Sequence, residues 1–242
     1  FGALFFFQFI VAAFARPFEL RHKNDDLSHL KPVVVIPVYN ESRSALKECI
    51  RSLFAQTTLP TEIHIVDDGS KEDYSNVKKW YLAEAKKRGI HASWERQVNL
   101  GKRHAHDNAF SSIKTTENVI VVTVDSDGIL DPRAIEEGLK PFIDPRVKSV
   151  AGIVIASNSQ RNLLSRITDM IFVSGQQLID RAAMSQFGNV LVNSGGLAFY
   201  RSSVIKVAKK HGYTTETFFG RPISFSDDSY FTLFSLLQGR AV

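Results

Sequence analysis

Two apolar, β-branched runs constrain this chain more than anything else in it: VVVIPV (Val33 to Val38) and VIVVTV (Val119 to Val124). Runs of this kind without polar alternation read as strands buried on both faces. Helical spacing separates them. ESRSALKECIRSLFAQ brings Leu46, Cys49, Ile50, Leu53 and Phe54 onto one side of a helix, and EIHIVDDGS alternates as a strand before stopping at a turn. A polar helix follows near Asp73 to Arg88, then a strand near Ala92 to Glu95 and a helix from Lys102 to Ile113. Beyond Val124 the pattern predicts a helix at Pro132 to Phe142, a strand over VKSVAGIVIA, a long helix from Leu163 to Met184, and the strand LAFY before another helix. Strands alternating with helices imply an α/β domain whose mostly parallel sheet is covered on both faces. In such sheets ligands bind beyond the carboxyl ends of the strands. The unusual polar residues stand at those ends: Tyr39 and Asn40, Asp67 and Asp68, Asp125 and Asp127.

At 242 residues, 44% hydrophobic and 23% charged, the chain is long enough for one such domain and a short extra segment. A net charge of +5 suits phosphorylated ligands or an anionic membrane face, and is too small and scattered to argue for nucleic acid. The single cysteine, Cys49, falls on the apolar face of a helix and reads as a small buried hydrophobe.

The first stretch departs from this composition. FGALFFFQFIVAAFA is apolar apart from Gln8, and RPFELRHK follows with Arg16, Arg21, His22 and Lys23. A bilayer-spanning helix needs roughly 20 residues, so residues 1–18 are expected to be the C-terminal part of a transmembrane helix and 19–31 a cytoplasmic linker. The basic flank would place the domain of residues 32–242 on the cytoplasmic side. A signal peptide fits less well, because the charge lies on the wrong side of the apolar core.

Each polar motif admits two readings. Asp125 and Asp127 in VDSDG could cap a turn, or could hold a divalent ion that relieves their mutual repulsion and bridges to a diphosphate. A calcium loop of the EF-hand type is excluded despite Glu136 at its last position, since Gly128 stands fourth where the sixth is required and Ile129 occupies a ligand position. VDDGS is either a plain turn or a place for Asp68 to accept the imide N–H of a uracil. In NLGKRHAHDNAF, Lys102, Arg103 and His104 open a helix, where the dipole disfavours cations by about 0.3–1 kcal/mol each; a solvated basic patch and a docked anion both account for them. His104 and His106, two apart, point to different sides and do not share a metal. VNSGGLAFYR places Gly195 and Gly196 in a tight turn or beside a sugar. In SFSDDSYFTLFSLL, Ser226 is a candidate N-cap. Asp227 and Asp228 there either compensate a helix dipole or supply a general base.

Together VVVIPVYNE, VDDGS, NLGKRHA, VDSDG, NSGGLAFYR and FSDDSYFTLF occur in the order that resembles family-2 inverting glycosyltransferases of GT-A fold. The membrane-embedded processive branch, with its hyaluronan, chitin, chitooligosaccharide and cellulose synthases, is the most similar. That resemblance implies a Rossmann-like sheet flanked by helices, a UDP-sugar donor, a growing glycan acceptor, a Mg or Mn ion, and a plasma-membrane location with the catalytic domain cytoplasmic. Carried onto matching positions, it implies that Tyr39 and Asp68 hold the uridine and that Lys102 lies near the nucleotide or its phosphates. Asp125 and Asp127 would both lie at the nucleotide and the ion, Asp127 being the stronger candidate for direct ligation. Ser194, Gly195 and Gly196 would line the donor-sugar or acceptor pocket, and Asp228 would be the catalytic base. The sequence departs from the pattern at Ser229, where hyaluronan and chitooligosaccharide synthases usually carry arginine, and it lacks the Q-x-x-R-W segment. A piece of a longer chain is therefore expected. The rival readings are a non-processive transferase acting on lipid or protein, a nucleotidyltransferase, and a UDP-binding fragment without turnover. Against the nucleotidyltransferase, IPVYNES stands where a glycine-rich basic loop would be.

Overall fold

A computed structural model describes residues 2–14, 18, 26–157, 161–171, 173, 183–223 and 226–242. Its elements are α1 (Gly2–Ala13), β1 (Lys31–Val38), α2 (Arg43–Phe54), β2 (Glu62–Asp67), α3 (Ser75–Lys87), β3 (His91–Arg96), α4 (Lys102–Ser112) and β4 (Val119–Val124). After these come α5 (Ala134–Leu139) with a 3₁₀ turn (Lys140–Ile143), β5 (Val147–Ala151), α6 (Leu163–Met170) and α7 (Ala183–Ser185). The chain closes with β6 (Leu197–Arg201), α8 (Ser202–Lys210), a small hairpin of β7 (Thr217–Phe218) and β8 (Arg221–Pro222), α9 (Asp227–Gln238) and β9 (Arg240–Ala241).

Seven strands form one sheet in the order β3-β2-β1-β4-β6-β5-β9. β6 alone runs antiparallel to its neighbours, so the sheet is mixed and mostly parallel. The two-residue period of a strand sends alternate side chains to opposite faces, and both faces are apolar. Val34, Ile36 and Val38 of β1 join Ile120, Val122 and Val124 of β4 against α2, α3 and α5. Val33, Val35, Val119 and Val121 pack on the other face with α4, α8 and α9. This is why the two runs lack polar alternation. In α2, Leu46, Cys49, Ile50 and Leu53 are buried, and Ser42 accepts the Ala45 N–H at 3.2 Å as its N-cap.

The chain steps from β1 to β2 and β3 on one side, then returns to place β4 on the other side of β1. A crevice opens where strand order reverses in this way. Register pairs β1 with β4 only as far as Val35 and Thr123. Pro37, which has no N–H to give, sits where the strands part.

The expectation for the strand after α5 is corrected. The strand predicted over residues 147–156 ends at Ala151, because its partner β6 begins at Leu197, after the Gly195–Gly196 turn, and has nothing left to pair with. Ile153 and Ile155 are consequently exposed. The predicted long helix is described only as α6, and its later part lies largely outside the described residues. β9 and the β7–β8 hairpin were not anticipated. Within residues 1–18, expected to be the C-terminal part of a transmembrane helix, the described helix runs over the 12 residues Gly2–Ala13. At 1.5 Å per residue it covers about 18 Å of a hydrocarbon core of about 30 Å. Among the described residues, no helix is long and apolar enough to cross a membrane. Arg16, Arg21 and Lys23 lie outside the described residues.

Gly138 in α5 faces the Phe199 ring, and an added Cβ would collide with it. Helix propensity favours alanine there by about 1 kcal/mol, but overpacking a buried ring costs about 1–3 kcal/mol. Gly138→Ala is expected to lower stability by up to about 2 kcal/mol in denaturant unfolding, the net of those two effects.

Candidate active site

A cleft of about 410 Å³ opens beyond the carboxyl ends of β1 and β4. It is lined by residues from three strand ends and the start of α4, among them Tyr39, Glu41, Asp68, Lys102, Asp125 and Asp127. Five predicted site residues thus converge from positions as far apart in sequence as 39 and 127.

Each wall has a local cause. After β1 the backbone turns through Asn40, whose φ of 51° is left-handed, a conformation asparagine tolerates. Its N–H donates to Ser70 Oγ at 2.9 Å and its Oδ1 accepts from Lys71 N–H at 2.8 Å, so the β1 and β2 loops are fastened together. Tyr39 next to it stands 53% exposed, leaving its ring free to take a planar partner. Asp68 is buried. Its Oδ1 accepts from Gln97 Nε2 at 2.8 Å and Leu100 N–H at 2.9 Å, and its Oδ2 accepts from Gly101 N–H at 2.8 Å. An ionised carboxylate offers about four acceptor positions, so one on Oδ2 remains. The anion expected at the start of α4 is therefore, in the first instance, the protein's own Asp68.

The basic run separates into three roles. Lys102 Nζ donates to Asp125 Oδ1 at 2.7 Å and lies 3.7 Å from Asp227 Oδ2. Burial by itself would lower its pKa; Asp227, Asp125 and Asp228 outweigh that and raise it. Arg103 is no solvated patch. It is buried, donates to Tyr213 O at 3.0 Å, Glu216 Oε2 at 2.7 Å and Ser226 O at 3.2 Å, and so clamps the segment before α9 onto α4. His104 is half-buried and has no place in the cleft lining.

The two aspartates after β4 stand in a backbone-closed turn and also face the cleft. Gly128 N–H donates to Asp125 O at 3.0 Å, closing a turn, while both carboxylates line the cleft. Burial pushes the Asp125 carboxyl up, Lys102 opposes this, and Asp127 adds to it. Cys49 approaches Asp125 O at 3.5 Å from below, its thiol pushed up to about 12 by burial and then by Asp127, so it is an inert core residue as expected.

Asp228 and the glycine pair stand at the same end of the sheet. Asp125 N–H donates to Gly196 O at 3.2 Å. A Cβ on Gly195 would lie 3.5 Å from Asp228 Oδ2, and one on Gly196 would lie 3.7 Å from Asp125 Oδ2 and 3.1 Å from Val154. Ser194 is buried behind them, and it is not part of the cleft lining. Ser226 holds the N-cap position of α9 in a left-handed conformation, φ 62°, and its hydroxyl caps nothing. Asp228 is held from below instead: Thr232 Oγ donates to its carbonyl at 2.7 Å and accepts Asn193 N–H at 2.9 Å.

Sequence reasoning missed Glu41, and it missed the partners of Asp227 and His106. Glu41 lines the cleft and accepts from Ser126 Oγ at 3.3 Å. Asp227 pairs with Lys102 and approaches His106 Nδ1 at 3.4 Å. Burial acts to raise the Asp227 carboxyl, but the facing His106 and Lys102 outweigh it and hold it below the usual range. A carboxylate beside the Asp228 motif was visible in the sequence; its long-range partners were not. Against Glu41, Asp68, Asp125 and Asp127 in its lining, with Asp227 facing Lys102 from beside it, the cleft among the described residues sets the Lys102 ammonium. An excess of hard oxygen donors of this kind suits Mg or Mn.

Residues 33–208 match the family described as Glycosyl transferase family 2, and the chain belongs to that family. It is 39% identical over 220 residues to a hyaluronan synthase of Streptococcus pyogenes, covering 88% of this chain and 50% of that protein. It is 34% identical over 209 residues to an N-acetylglucosaminyltransferase of Azorhizobium caulinodans, covering 85% of this chain and 50% of that one. The chain thus spans about half the length of these relatives. Its fold is shared with the mannosyltransferase PcManGT from Pyrobaculum calidifontis, solved with GDP-Man and Mn2+. The TM-score is 0.70 at 19% identity, over 100% of this chain and 62% of that one. S. aureus TarS, solved with UDP, gives a TM-score of 0.52 at 20% identity over 88% of this chain and 57% of that one.

His106 supplies a pH test. Burial pushes it down to about 4, from 6.5 in the open chain, and Asp227 only partly opposes this. Between those values the unfolded chain binds a proton that the fold does not, so stability is full above pH 6.5 and falls as pH drops toward 4. Unfolding titrations at successive pH values are expected to show this slope, at most about 1.4 kcal/mol per unit for one group, and to show it flattened in His106→Gln.

Proposed function

We propose that this chain is the donor-binding and catalytic domain of an inverting glycosyltransferase that uses a UDP-sugar and builds a polysaccharide at a membrane, in the manner of a hyaluronan synthase. The observation that carries this is the convergence of Asp125, Asp127 and Lys102 on one cleft at the reversal of strand order, with Asp228 beside its rim. The 39% identity to a hyaluronan synthase supports N-acetylglucosamine and glucuronate as donors. The UDP bound to TarS supports the nucleotide.

In this reading Tyr39 stacks on the uracil, and the free acceptor position of Asp68 takes the imide N–H. Lys102 shifts its ammonium from Asp125 toward the diphosphate as it binds. Asp127, exposed, and Asp125 would hold a Mg or Mn ion, in keeping with the Mn2+ of PcManGT. When bound, such an ion supplies Lewis-acid stabilisation of the charge on the leaving diphosphate. Gly195 and Gly196 leave room at the sugar, with Ser194 supporting that turn from the core. Asp228 accepts the proton of the acceptor hydroxyl, whose oxygen attacks the anomeric carbon; the bond to UDP breaks and the configuration inverts. The growing glycan is the acceptor. The apolar N-terminal stretch would contribute to a transmembrane helix that keeps the domain at the cytoplasmic face of the plasma membrane.

Calorimetric titration with UDP tests the donor site. Binding is expected with Mn or Mg, to be strongly reduced by EDTA, and to be equally reduced in Asp127→Ala. Binding indifferent to both would refute the ion-diphosphate account. For the base, Asp228→Asn in the full-length enzyme is expected to lower kcat by about 100-fold or more, the usual worth of a positioned base, with UDP affinity unchanged. Normal turnover in that variant would remove Asp228 from the chemistry.

A further inference from the structure

Glu62 and His64 open β2, and the two-residue period of a strand puts them on one face. The parallel register pairs Glu62 with His91 and His64 with Ser93, so the first residues of β3 share that face. Ile63 and Ile65, alternating with them, turn to the opposite core. The result is a side-chain cluster at the amino ends of the strands, away from the cleft at their carboxyl ends, where β3 forms the edge of the sheet.

Two imidazoles meet on one carboxylate. His64 Nε2 lies 3.0 Å and His91 Nδ1 3.4 Å from the same oxygen, Glu62 Oε2, and one ligand atom from each of the three residues lies within 4.8 Å of the other two. A tetrahedral zinc site with bonds of about 2.0–2.1 Å has about 3.3–3.4 Å between ligand atoms. The two separations on Glu62 Oε2, 3.0 and 3.4 Å, fall close to that edge. The wider gap between the histidines closes by rotation of His91, whose side chain is 71% exposed, while His64, 2% exposed, is held in place. His64 Nδ1 is engaged by Ser93 Oγ at 2.8 Å. That is the arrangement in which a ligating histidine is oriented through its other nitrogen. With Nδ1–H donating to Ser93, Nε2 presents a lone pair toward Glu62, and only a cation between them makes that contact favourable.

We propose that Glu62, His64 and His91 form a three-ligand site for a divalent cation of the zinc class, with its fourth position open to solvent at the sheet edge. The nitrogen-rich donor set separates it chemically from the carboxylate cleft, which suits Mg or Mn. An ion there would tie the edge strand β3 to β2 at the end opposite the cleft. The alternative is an ordinary hydrogen bond from His64 Nε2–H to Glu62, with Ser93 donating to Nδ1 and His91 as a surface ion-pair partner.

The test uses the untagged, metal-free chain titrated with Co2+ and followed by visible absorption, since four-coordinate cobalt absorbs far more strongly than cobalt in an octahedral oxygen site. One equivalent of intense absorption, displaced by Zn2+, is expected. It should vanish in His91→Ala, whose exposed position leaves folding intact by circular dichroism, and persist in Asp127→Ala. Affinity should fall about 10- to 100-fold in Ser93→Ala, as for other partners of ligating histidines. Absence of the absorption, its survival in His91→Ala, or its loss in Asp127→Ala would overturn the proposal.

Discussion

The pairing of β1 with β4 is the constraint on which the rest depends. Both strands are covered on both faces, so neither can present a functional side chain along its length, and chemistry is confined to the residues where they end. The pairing stops at Val35 and Thr123, and the strands part where Pro37 withholds a hydrogen bond. Tyr39 and Asp125 then project into the gap from opposite sides of the reversal in strand order. A buried scaffold thus produces a solvent-facing cleft without exposing its core.

Charge is the second organising element. Carboxylates at the mouth of an apolar core repel each other, and the fold answers with Lys102, brought by α4 to within 2.7 Å of Asp125. Burial and repulsion still raise the Asp125 carboxyl. The cleft therefore keeps an excess of negative charge that the ammonium leaves unbalanced. Asp68 works differently. Three N–H donors absorb most of its acceptor capacity, so it shapes the 97–101 loop at the start of α4 while one acceptor position stays open.

Much of this was legible in the sequence because it depends on local patterning. The strand-helix alternation, the acids at strand ends and the order of the motifs are all read from neighbours a few residues apart. Where the reading failed, the cause was a distant partner. Arg103 looked like part of a basic patch, yet it is buried because Glu216 and two carbonyls more than 100 positions away receive its guanidinium. Ser226 looked like a cap, but the segment leading into α9 is pulled into a left-handed turn that aims its hydroxyl elsewhere.

What the sequence alone determined is the class of fold, the family, and the set of residues available for chemistry, since periodicity and motif order are properties of the chain itself. Only the tertiary structure decided which of those residues meet. It placed Lys102 on Asp125, filled the start of α4 with Asp68, buried Ser194 behind the glycine turn, and gathered Glu62, His64 and His91 at the sheet edge. Each of these rests on strand register or on a crossover that brings separate segments together, and a spacing along the chain does not encode a distance across the sheet.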